Sequence, residues 1–336
     1  MTKPVDPPQL VEPASTTWDG LEAAPDHPHG GAVVVRRTGR ACPHEYLLLH
    51  RAVNGVDYEG DWAWTSPAGA RFPGEPVYPA ALRELHEGAG ITDADVWAVD
   101  LSGRWAVFGC EIPSSTAVEL LDVEHDRFEW LPPAQALGRI LPVEIAGTQI
   151  STLKAIPSAT IGFRPMTHAD LPDVVRWQQT THVARWWDNE SPDVESAERR
   201  YGPRIDGTVP TRMRVIEING RSVGFVQDYL IGDHPEYAIA TGEPDAVAFD
   251  YAIGDPTWVG KGIGTRVLWT FLRDVVRPHY PDAATYFAAP DHRNTASLRV
   301  LSKLGFTHGL WFDEPQPEGR VDTVVSCTLD VRRMFG

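Results

Sequence analysis

The stretch GARFPGEPVYPAALRELHEGAGI, which runs from Gly69 to Ile91, decides which fold we expect for the first half of the chain. Its second part has the apolar spacing of a helix with one buried face. Because residues three and four positions apart lie on the same side of a helix, Glu84, Glu87 and position 88 should point together. Clustered carboxylates bind hard cations such as Mg²⁺ and bridge them to phosphates. Position 88 is a glycine, so this cluster lacks one carboxylate.

A longer set of residues in this stretch follows the spacing of a known signature. The set comprises Gly69, Glu75, Arg83, Glu84, Leu85, Glu87, Gly90 and Ile91. It resembles the Nudix box, and the segments DWAWTSPAG and FEWLPPAQAL are also similar to that family, so the resemblance covers roughly residues 30–155. The resemblance implies an α/β/α sandwich and Mg²⁺-dependent cleavage of a nucleoside diphosphate linked to another group. In that family a metal-ligating glutamate stands where this chain has Gly88.

Two interpretations of this stretch are open. In the first, the chain is an active hydrolase whose metal is held by Glu84, Glu87 and an outside residue such as Glu59 or Glu75. In the second, the Nudix fold is retained for packing or for ligand binding, and hydrolysis is weak or absent. We expect the second, because Gly88 removes one oxygen ligand and one negative charge from the site.

Composition restricts the function classes. The chain has 336 residues, long enough for two domains, and its 42% hydrophobic and 23% charged residues are ordinary for a globular protein. The net charge of −16 disfavours nucleic acids and anionic membranes as partners, and it suits a cationic substrate as well as plain solubility. Three widely spaced cysteines argue against disulfides and zinc clusters. Without a secretory or membrane-spanning pattern, we expect a cytoplasmic protein.

Changes in pattern along the chain predict three parts: a flexible tail over residues 1–28, a Nudix-like domain over 29–155 and a further domain over 160–336. The first half should form strands at GGAVVVRR, HEYLLLHRA, RWAVFGCEI and FEWL, with a helix over AALRELHEG. In that helix Leu82, Leu85 and Ala89 should form the inner face.

The second half reads as a mixed α+β unit. We expect strands at TIGFRPM, AVAFDYAIG, ATYFAAP and TVVSCTLDV and a hairpin turning at Asn219-Gly220. The helices should cover THADLPDVVRWQQ, capped by Thr167, and then TRVLWTFLRDVV and TASLRVLSKLGF.

The segment DPTWVGKGIGTRVLWTF follows one of these strands and opens a helix. Glycines at 260, 262 and 264 let the backbone turn tightly and direct successive N–H groups towards one point. At the N-terminus of a helix this geometry binds phosphate, helped by the helix dipole and by Lys261. The pattern therefore predicts a site for a phosphorylated ligand.

This segment resembles the acyl-CoA loop of the GNAT acetyltransferases, although Val259 stands where that loop usually begins with Gln or Arg. The segment APDHRNTASLRVLSKLGF is similar to the second CoA-contacting part of that family, and the resemblance places Asn294 on the pantetheine arm. It implies a GNAT fold with a mixed, mostly antiparallel sheet over about residues 160–335, and acetyl-CoA as cosubstrate. The residues expected at acetyl-CoA are Tyr251, Ile253, Val259, Gly260, Lys261, Gly262, Ile263, Gly264, Thr265 and Asn294.

Within that family the second half is similar to aminoglycoside 6′-N-acetyltransferases, on the segments HVARWWDNES, INGRSVGFVQDY and AFDYAIGDPTWVGKGIGT. The resemblance implies that Asp250 is the general base. The residues expected to border the acceptor are Trp186, Trp187, Gln227, Asp228 and Tyr229. Two positions depart from the family: Leu301 replaces a frequent tyrosine acid, and Ala289 stands where relatives can carry an acidic acceptor contact.

The sequence thus predicts an acetyl-CoA-dependent N-acetyltransferase for a primary amine of a cationic small molecule, with an aminoglycoside as the first candidate. Acetylation of a lysine-derived amine in siderophore assembly and hydrolysis by the Nudix half, with Mg²⁺ at Glu84 and Glu87, are the alternatives. A further hypothesis is a nucleotide-sensing Nudix half that governs acetylation. The oligomeric state stays open.

Overall fold

The chain forms two seven-stranded sheets, each with helices packed on it. The structure, a computed structural model, describes residues 16, 20, 22–39, 43–142, 147–187, 192–315 and 321–336. Most of the tail predicted over residues 1–28 lies outside these residues.

The first sheet has the strand order β3-β2-β1-β6-β5, with β4 paired to β1 and β7 paired to β2. Its strands are β1 (Gly30–Arg37), β2 (Glu45–Arg51), β3 (Trp64–Thr65), β4 (Ala68–Ala70), β5 (Val96–Asp100), β6 (Trp105–Ile112) and β7 (His125–Leu131). Its helices are α1 (Val77–Ala89), α2 (Pro133–Arg139) and α3 (Thr148–Ala155).

Helices α1 and α3 lie on opposite faces of this sheet. A β-carbon on Gly31 of β1 would lie 3.8 Å from Ala81 of α1. Arg36, five residues later, donates from Nη1 to the carbonyl oxygens of Leu153 and Ile156 at the end of α3, at 3.0 and 2.7 Å. Because side chains alternate between faces along a strand, positions 31 and 36 face opposite sides. The first half is therefore a sandwich of helix, mixed sheet and helix, as predicted.

The second sheet has the order β13-β14-β12-β11-β10-β9-β8. Its strands are β8 (Ile161–Pro165), β9 (Arg212–Ile218), β10 (Arg221–Leu230), β11 (Val247–Ile253), β12 (Thr285–Ala288), β13 (Thr307–Pro315) and β14 (Val321–Asp330). Its helices are α4 (Leu171–Gln178), α5 (Thr181–Trp187), α6 (Val194–Ile205), α7 (Pro235–Thr241), α8 (Ile263–Phe271), α9 (Arg277–His279), α10 (Thr295–Lys303) and α11 (Val331–Phe335). Strands β11 and β12 are parallel and the other neighbours are antiparallel, so the sheet is mixed and mostly antiparallel.

Local sequence explains several of these elements. The hairpin between β9 and β10 turns at Asn219 and Gly220, whose φ angles of 53° and 72° suit a two-residue hairpin turn. Thr167 caps a short 3₁₀ turn before α4 in a reciprocal capping box with Asp170. Helix α1 ends at Gly90, which has the left-handed conformation of a helix C-cap. None of the helices in the described ranges is long and apolar enough to cross a membrane.

The two sheets are joined by a shared apolar core, and helix α8 is the main contact. Trp269 of α8 donates from Nε1 to the carbonyl oxygen of Val96 in β5 at 3.1 Å. Arg273, one turn later, donates to the same oxygen at 2.7 Å and to the Asp95 carboxylate at 2.7 Å. Tyr78 of α1 meets the Trp269 ring edge-on, with centroids 5.1 Å apart. Helix α8 is therefore held by the first half along its length.

Candidate functional site

Strands β11 and β12 separate and leave a cleft in the second sheet. They pair only at Val247 with Tyr286 and at Ala248 with Phe287. Strand β12 ends at Ala288, whereas β11 continues to Ile253 and stays paired with β10 on its other side. The residues of β11 that follow this last pair therefore border an open split.

Asp250 lies two residues beyond the last pair, inside the split. Gln227, its register neighbour on β10, donates from Nε2 to Asp250 Oδ2 at 2.8 Å. Arg204 of α6 in turn donates from Nη1 to Gln227 Oε1. Burial raises the pKa of Asp250, against the lowering effects of the Gln227 hydrogen bond and the nearby charge of Arg204. A carboxylate whose pKa is raised is a stronger base than an ordinary one, which suits it to accept a proton from an amine.

Tyr229 shares the face of Gln227, because the two residues are two positions apart on β10. Gln227 is the register partner of Asp250, so Tyr229 also shares the face of Asp250. Its ring lies 4.8 Å from that of His234 and 6.2 Å from that of Tyr237 in α7. Burial raises the pKa of Tyr229 well above its usual value, so the phenol keeps its proton.

Asp228 is not at this site. As the intervening residue of β10 it points to the opposite face, where its side chain is fully buried. Arg212 donates from Nε to Asp228 Oδ2 at 2.7 Å, and burial raises the pKa of this carboxyl group. The expectation that Asp228 borders the acceptor beside Asp250 therefore fails on strand alternation.

The two tryptophans of α5 have different surroundings. Trp187 meets the ring of Phe225 edge-on with centroids 5.1 Å apart, and Phe225 shares the face of Gln227. Trp186 is half-buried, and the guanidinium of Arg185 lies 5.7 Å from its ring centroid. His182, earlier in α5, hydrogen-bonds through Nε2 to the carbonyl oxygen of Ile253 at 2.8 Å. Helix α5 is thereby attached to the end of β11.

After β11, a short 3₁₀ turn at Pro256–Trp258 leads into the glycine turn, Val259–Gly262, which ends where α8 begins. Gly260 and Gly262 have φ angles of 74° and 72°, a left-handed conformation that favours glycine. The turn is exposed at Val259, Gly260, Lys261 and Gly262. Helix α8 opens at Ile263, and its first N–H groups face this exposed turn, as phosphate binding requires.

The first turn of α8 is anchored from below. Ile263 and Thr265 are buried, and Gly264 between them is half-buried. A β-carbon on Gly264 would lie 3.8 Å from Ile253 Cδ1, so the end of β11 packs directly under the turn. Ile263 and Thr265 therefore offer their backbone to the turn while their side chains fill the core.

Tyr251 and Asn294 connect β11 to α10. The Tyr251 hydroxyl lies 3.2 Å from Ser297 Oγ in the first turn of α10. Asn294 is the N-cap of that helix, because its Oδ1 accepts from the Ser297 N–H at 3.1 Å. Because the cap uses the side-chain oxygen of Asn294, helix α10 fixes the orientation of the Asn294 side-chain amide. Leu301, later in the same helix, is fully buried in the core, and Ala289 packs beside Phe287.

In the first half, Arg83 forms hydrogen bonds to the carboxylates of the Nudix-like stretch. It donates to both oxygens of Glu75 at 2.8 and 2.9 Å, to Glu84 at 2.7 Å and to Glu87 at 3.0 Å. Burial raises the pKa of Glu84 to about 7, although Arg83 lowers it. The structure thus brings Glu84, Glu87 and Glu75 together around one guanidinium, which offsets part of their negative charge.

Gly88 faces a second group of ligating side chains. A β-carbon at this position would lie 3.0 Å from Leu49 Cδ1, 3.8 Å from Asp122 Oδ2 and 3.8 Å from His125 Cε1. Asp122, Glu124 and His125 offer ligand atoms within 4.8 Å of one another. A set that mixes oxygen and imidazole nitrogen suits transition metals better than Mg²⁺. No spacing in the sequence predicts this group, which comes from the end of the loop before β7 and from the first residue of that strand.

Glu59 lies apart from this group. Its carboxylate accepts from Trp64 Nε1 at 2.7 Å and from Arg127 Nη2 at 3.1 Å. Among the described residues, Mg²⁺ would find oxygen ligands at Glu84 and Glu87, but these are engaged by Arg83 and the third carboxylate is missing at Gly88. The donor set of the stretch therefore does not fit a hydrolytic Mg²⁺ site.

Comparisons with known proteins agree with the two sheets. Residues 26–151 match the family model described as NUDIX domain, and residues 166–313 match the model described as Acetyltransferase (GNAT) domain. Two proteins called aminoglycoside N(6′)-acetyltransferase type 1, from Klebsiella pneumoniae and Serratia marcescens, are each 22% identical over 150 residues, which is 44% of this chain and 74% of the relative. The crystal structure of aminoglycoside acetyltransferase AAC(6′)-Ib with coenzyme A is 21% identical, covers 52% of this chain and 96% of that chain, and has a TM-score of 0.44.

Proposed function

We propose, from the premise that this chain joins a NUDIX domain to a GNAT acetyltransferase domain, that it transfers the acetyl group of acetyl-CoA to a primary amine. The observation that carries the proposal is the position of Asp250. This half-buried carboxylate lies in the split between β11 and β12, on the strand that precedes the glycine turn of α8. A proton acceptor and a phosphate-binding turn on one strand suit attack of an amine on a thioester.

The glycine turn holds the diphosphate of the cosubstrate through backbone N–H groups, with Lys261 supplying positive charge. Asn294, oriented by α10, donates its amide group to the pantetheine arm. The acceptor nitrogen attacks the thioester carbonyl, so that a C–N bond forms and the C–S bond breaks. Asp250 takes the proton of the amine, directly or through water. Positioning the two substrates in contact supplies much of the rate.

The sulfur leaves as a thiolate, and no tyrosine stands at position 301 to protonate it. Leu301 is buried in the core and has no proton to give. A thiol has a pKa of about 8.5, so solvent protonates the thiolate at neutral pH without an enzymatic acid. The proposed reaction therefore uses Asp250 as a general base and needs no general acid from the protein.

An aminoglycoside with a 6′-amino group is the acceptor we place first. The similarity to two aminoglycoside N(6′)-acetyltransferases supports it, as do the aromatic side chains of Trp186 and Trp187 and the carboxylate of Asp250, which are groups that suit a polycationic aminosugar. The experiment is acetylation of kanamycin, which carries a 6′-amine, against paromomycin, which carries a hydroxyl there. We expect one acetyl group on kanamycin and none on paromomycin, measured by mass spectrometry. Acetylation of both at equal rates would exclude 6′ regiochemistry.

A lysine-derived amine is the second candidate, and the charges around Asp250 favour it. Arg204 and Arg200 lower the pKa of Asp250 through their charges, so two cations flank the proposed base. The charge of Glu314 raises the pKa of the adjacent Tyr229, so an anion also lies near the proposed base. A site that contains both cations and an anion suits an acceptor that carries both an amine and a carboxylate.

L-lysine and cadaverine test this second candidate, because they share the terminal amine and differ in the carboxylate. If the arginines bind that carboxylate, kcat/KM for L-lysine should exceed that for cadaverine by about tenfold, the scale of one charge-assisted contact. Arg204→Lys should keep part of this preference and Arg204→Met should abolish it through KM. Wild-type preference for cadaverine would reject the candidate and leave the cationic acceptor.

For the NUDIX half we propose loss of hydrolysis with retention of the fold, and Gly88→Glu tests it. The new side chain would point towards Asp122 and His125 and displace Leu49 slightly. We expect Mn²⁺ affinity to rise by about tenfold or more, because a further carboxylate adds both charge and oxygen ligands. The measurement is calorimetric titration with Mg²⁺ and Mn²⁺. Wild type should release no nucleotide from a nucleotide-sugar and dinucleotide panel.

The matched control for this change is His86→Glu, which adds a carboxylate to an exposed position of the same helix. It should leave metal affinity unchanged. Robust wild-type hydrolysis that disappears in Glu84→Gln or Glu87→Gln would contradict the proposal, and Gly88 would then be a gap in a working site.

A further inference from the structure

The glycine turn of the second half rests on a residue that follows the last helix of the first half. Ile156 is the C-cap of α3 and is buried. A β-carbon on Gly262 would lie 2.9 Å from its Cγ1 and 3.4 Å from its Cδ1. The Ile156 side chain therefore forms the wall directly behind Gly262, on the side away from solvent.

Ile156 is itself held by a buried ion pair of the first sheet. Arg36, which is fully buried, donates from Nη1 to the Ile156 carbonyl oxygen at 2.7 Å and to that of Leu153 at 3.0 Å. Its Nη2 donates to the Glu111 carboxylate on β6 at 3.1 Å. Hydrogen bonds to a buried guanidinium are costly to break. The end of α3 is therefore fixed to the first sheet by charge, and the Ile156 side chain is fixed with it.

The rest of α8 is fixed to the same sheet. The Arg266 guanidinium lies 3.7 Å from the centroid of the Trp97 ring on β5, and Trp269 and Arg273 bond the Val96 carbonyl oxygen further along. Helix α10 is attached as well, because the Leu101 N–H donates to the Lys303 carbonyl oxygen at 2.9 Å. Both helices expected at CoA thus rest on β5 or on the residue that follows it.

We infer that Arg36 and Ile156 are positioning residues for the acyl-CoA turn, so that the NUDIX half is a working part of the acetyltransferase site. The inference rests on the proposed acetyl-CoA binding at Val259–Thr265. Backbone N–H groups bind a diphosphate only if the turn stands at the right place, and a displacement of about 1 Å can cost up to about 10²-fold in rate. Ile156 positions the turn by packing behind Gly262, and Arg36 positions Ile156 by bonding its carbonyl oxygen.

Ile156→Ala tests the inference, because it removes the wall behind Gly262 and leaves every residue of the turn intact. We expect the Kd for CoA, measured by calorimetry, and the KM for acetyl-CoA to rise by about tenfold, with the KM of the amine unchanged. Ile156→Val, which shortens the side chain by one methyl group, should give a smaller rise in the same direction and keeps the test valid if the alanine variant does not fold.

Leu153→Ala is the matched control. Leu153 is as buried as Ile156 and belongs to the same helix, but its Cδ1 lies 2.9 Å from a β-carbon built on Gly109 of β6. It therefore faces the first sheet rather than the turn. This variant should lower Tm as much as Ile156→Ala does and leave the Kd for CoA unchanged.

A double-mutant cycle distinguishes an effect of the contact between Ile156 and Gly262 from a general loss of rigidity. Gly262→Ala introduces a β-carbon against Ile156 and a left-handed φ, whereas Ile156→Ala removes the side chain that it meets. The two changes together should raise the Kd by less than the product of their separate effects. Independent effects of the two changes on the Kd for CoA would overturn the inference but not the proposed function. Equal rises of that Kd in Ile156→Ala and Leu153→Ala would do the same. A wild type that binds no CoA would overturn the proposed function as well.

Discussion

Asp250→Asn should lower kcat by about 10²-fold or more, the scale on which a general base contributes, with little change in the Kd for CoA. Asparagine has the shape of aspartate and can still accept the hydrogen bond from Gln227, but it cannot take a proton from the acceptor amine. The measurement is steady-state kinetics with each accepted amine, together with calorimetric titration of CoA.

The pH profile gives this prediction a second readout. Burial raises the pKa of Asp250, so the acidic limb of kcat/KM should lie above the usual range of a carboxyl group and should vanish in Asp250→Asn. The same pKa shift determines how the free energy of unfolding changes with pH. Because the folded pKa exceeds the unfolded one, the protonated carboxyl stabilises the fold below the unfolded pKa, and that contribution is lost as pH rises through the folded pKa. Asp250→Asn should therefore be at least as stable as wild type at neutral pH.

Asp245→Asn is the matched control for this change. Asp245 is exposed in the turn before β11, five residues from Asp250, so the substitution removes a charge near the site without touching the split. It should leave kcat and the acidic limb within about twofold of wild type. Near wild-type turnover of Asp250→Asn with every amine would instead make Asp250 a structural carboxylate.

Local pattern was enough to predict most strands of both sheets and the residues next to Asp250 along the chain. The apolar strand AVAFDYAIG and the glycine turn after it fall in one continuous stretch, and the strand is β11 in the structure. Strand β5 and helix α3 were not predicted, although they connect the halves. Helix α3 is short and has no strong apolar face, and β5 is only Val96–Asp100. Short elements carry little periodic signal, and tertiary packing decides them.

The partners of Asp250 show where sequence reasoning fails. Gln227 was expected at the acceptor and in the structure bonds Asp250, because antiparallel register places the two residues side by side. Arg204, which bonds Gln227, was not predicted at all. It comes from α6, and no sequence spacing relates that polar helix to β11. Asp228 was misplaced for a simpler reason, since alternation along β10 sends it to the opposite face.

The NUDIX half shows the reverse case, in which spacing predicted proximity but not chemistry. Glu84 and Glu87 do lie together, as their positions on α1 require. Their common partner is Arg83, an interaction that the signature contains but that metal-ligand reasoning ignores. The direction of the missing side chain at Gly88, towards Asp122 and His125, depends on a loop about 35 residues later in sequence and needed the structure.

Gly262→Asp should abolish measurable CoA binding, with a loss of about 10²-fold or more in affinity, or ~2.7 kcal/mol. Three effects add in the same direction. The left-handed φ of 72° disfavours a β-carbon, that β-carbon would meet Ile156, and the new carboxylate would stand beside the N–H groups where a diphosphate is expected.

Two variants separate these effects. Gly262→Asn has the size of aspartate and tolerates a left-handed φ, so it keeps the steric effect and removes the charge. It should bind CoA more weakly than wild type and more strongly than Gly262→Asp. Gly260→Asp places the same charge on a residue with a φ of 74° whose β-carbon would meet no other atom within 4 Å. If repulsion dominates, it should weaken CoA nearly as much as Gly262→Asp and recover at high salt, because screening acts on the charge alone. Unchanged CoA affinity in a folded Gly262→Asp protein would remove the glycine turn from the cosubstrate site.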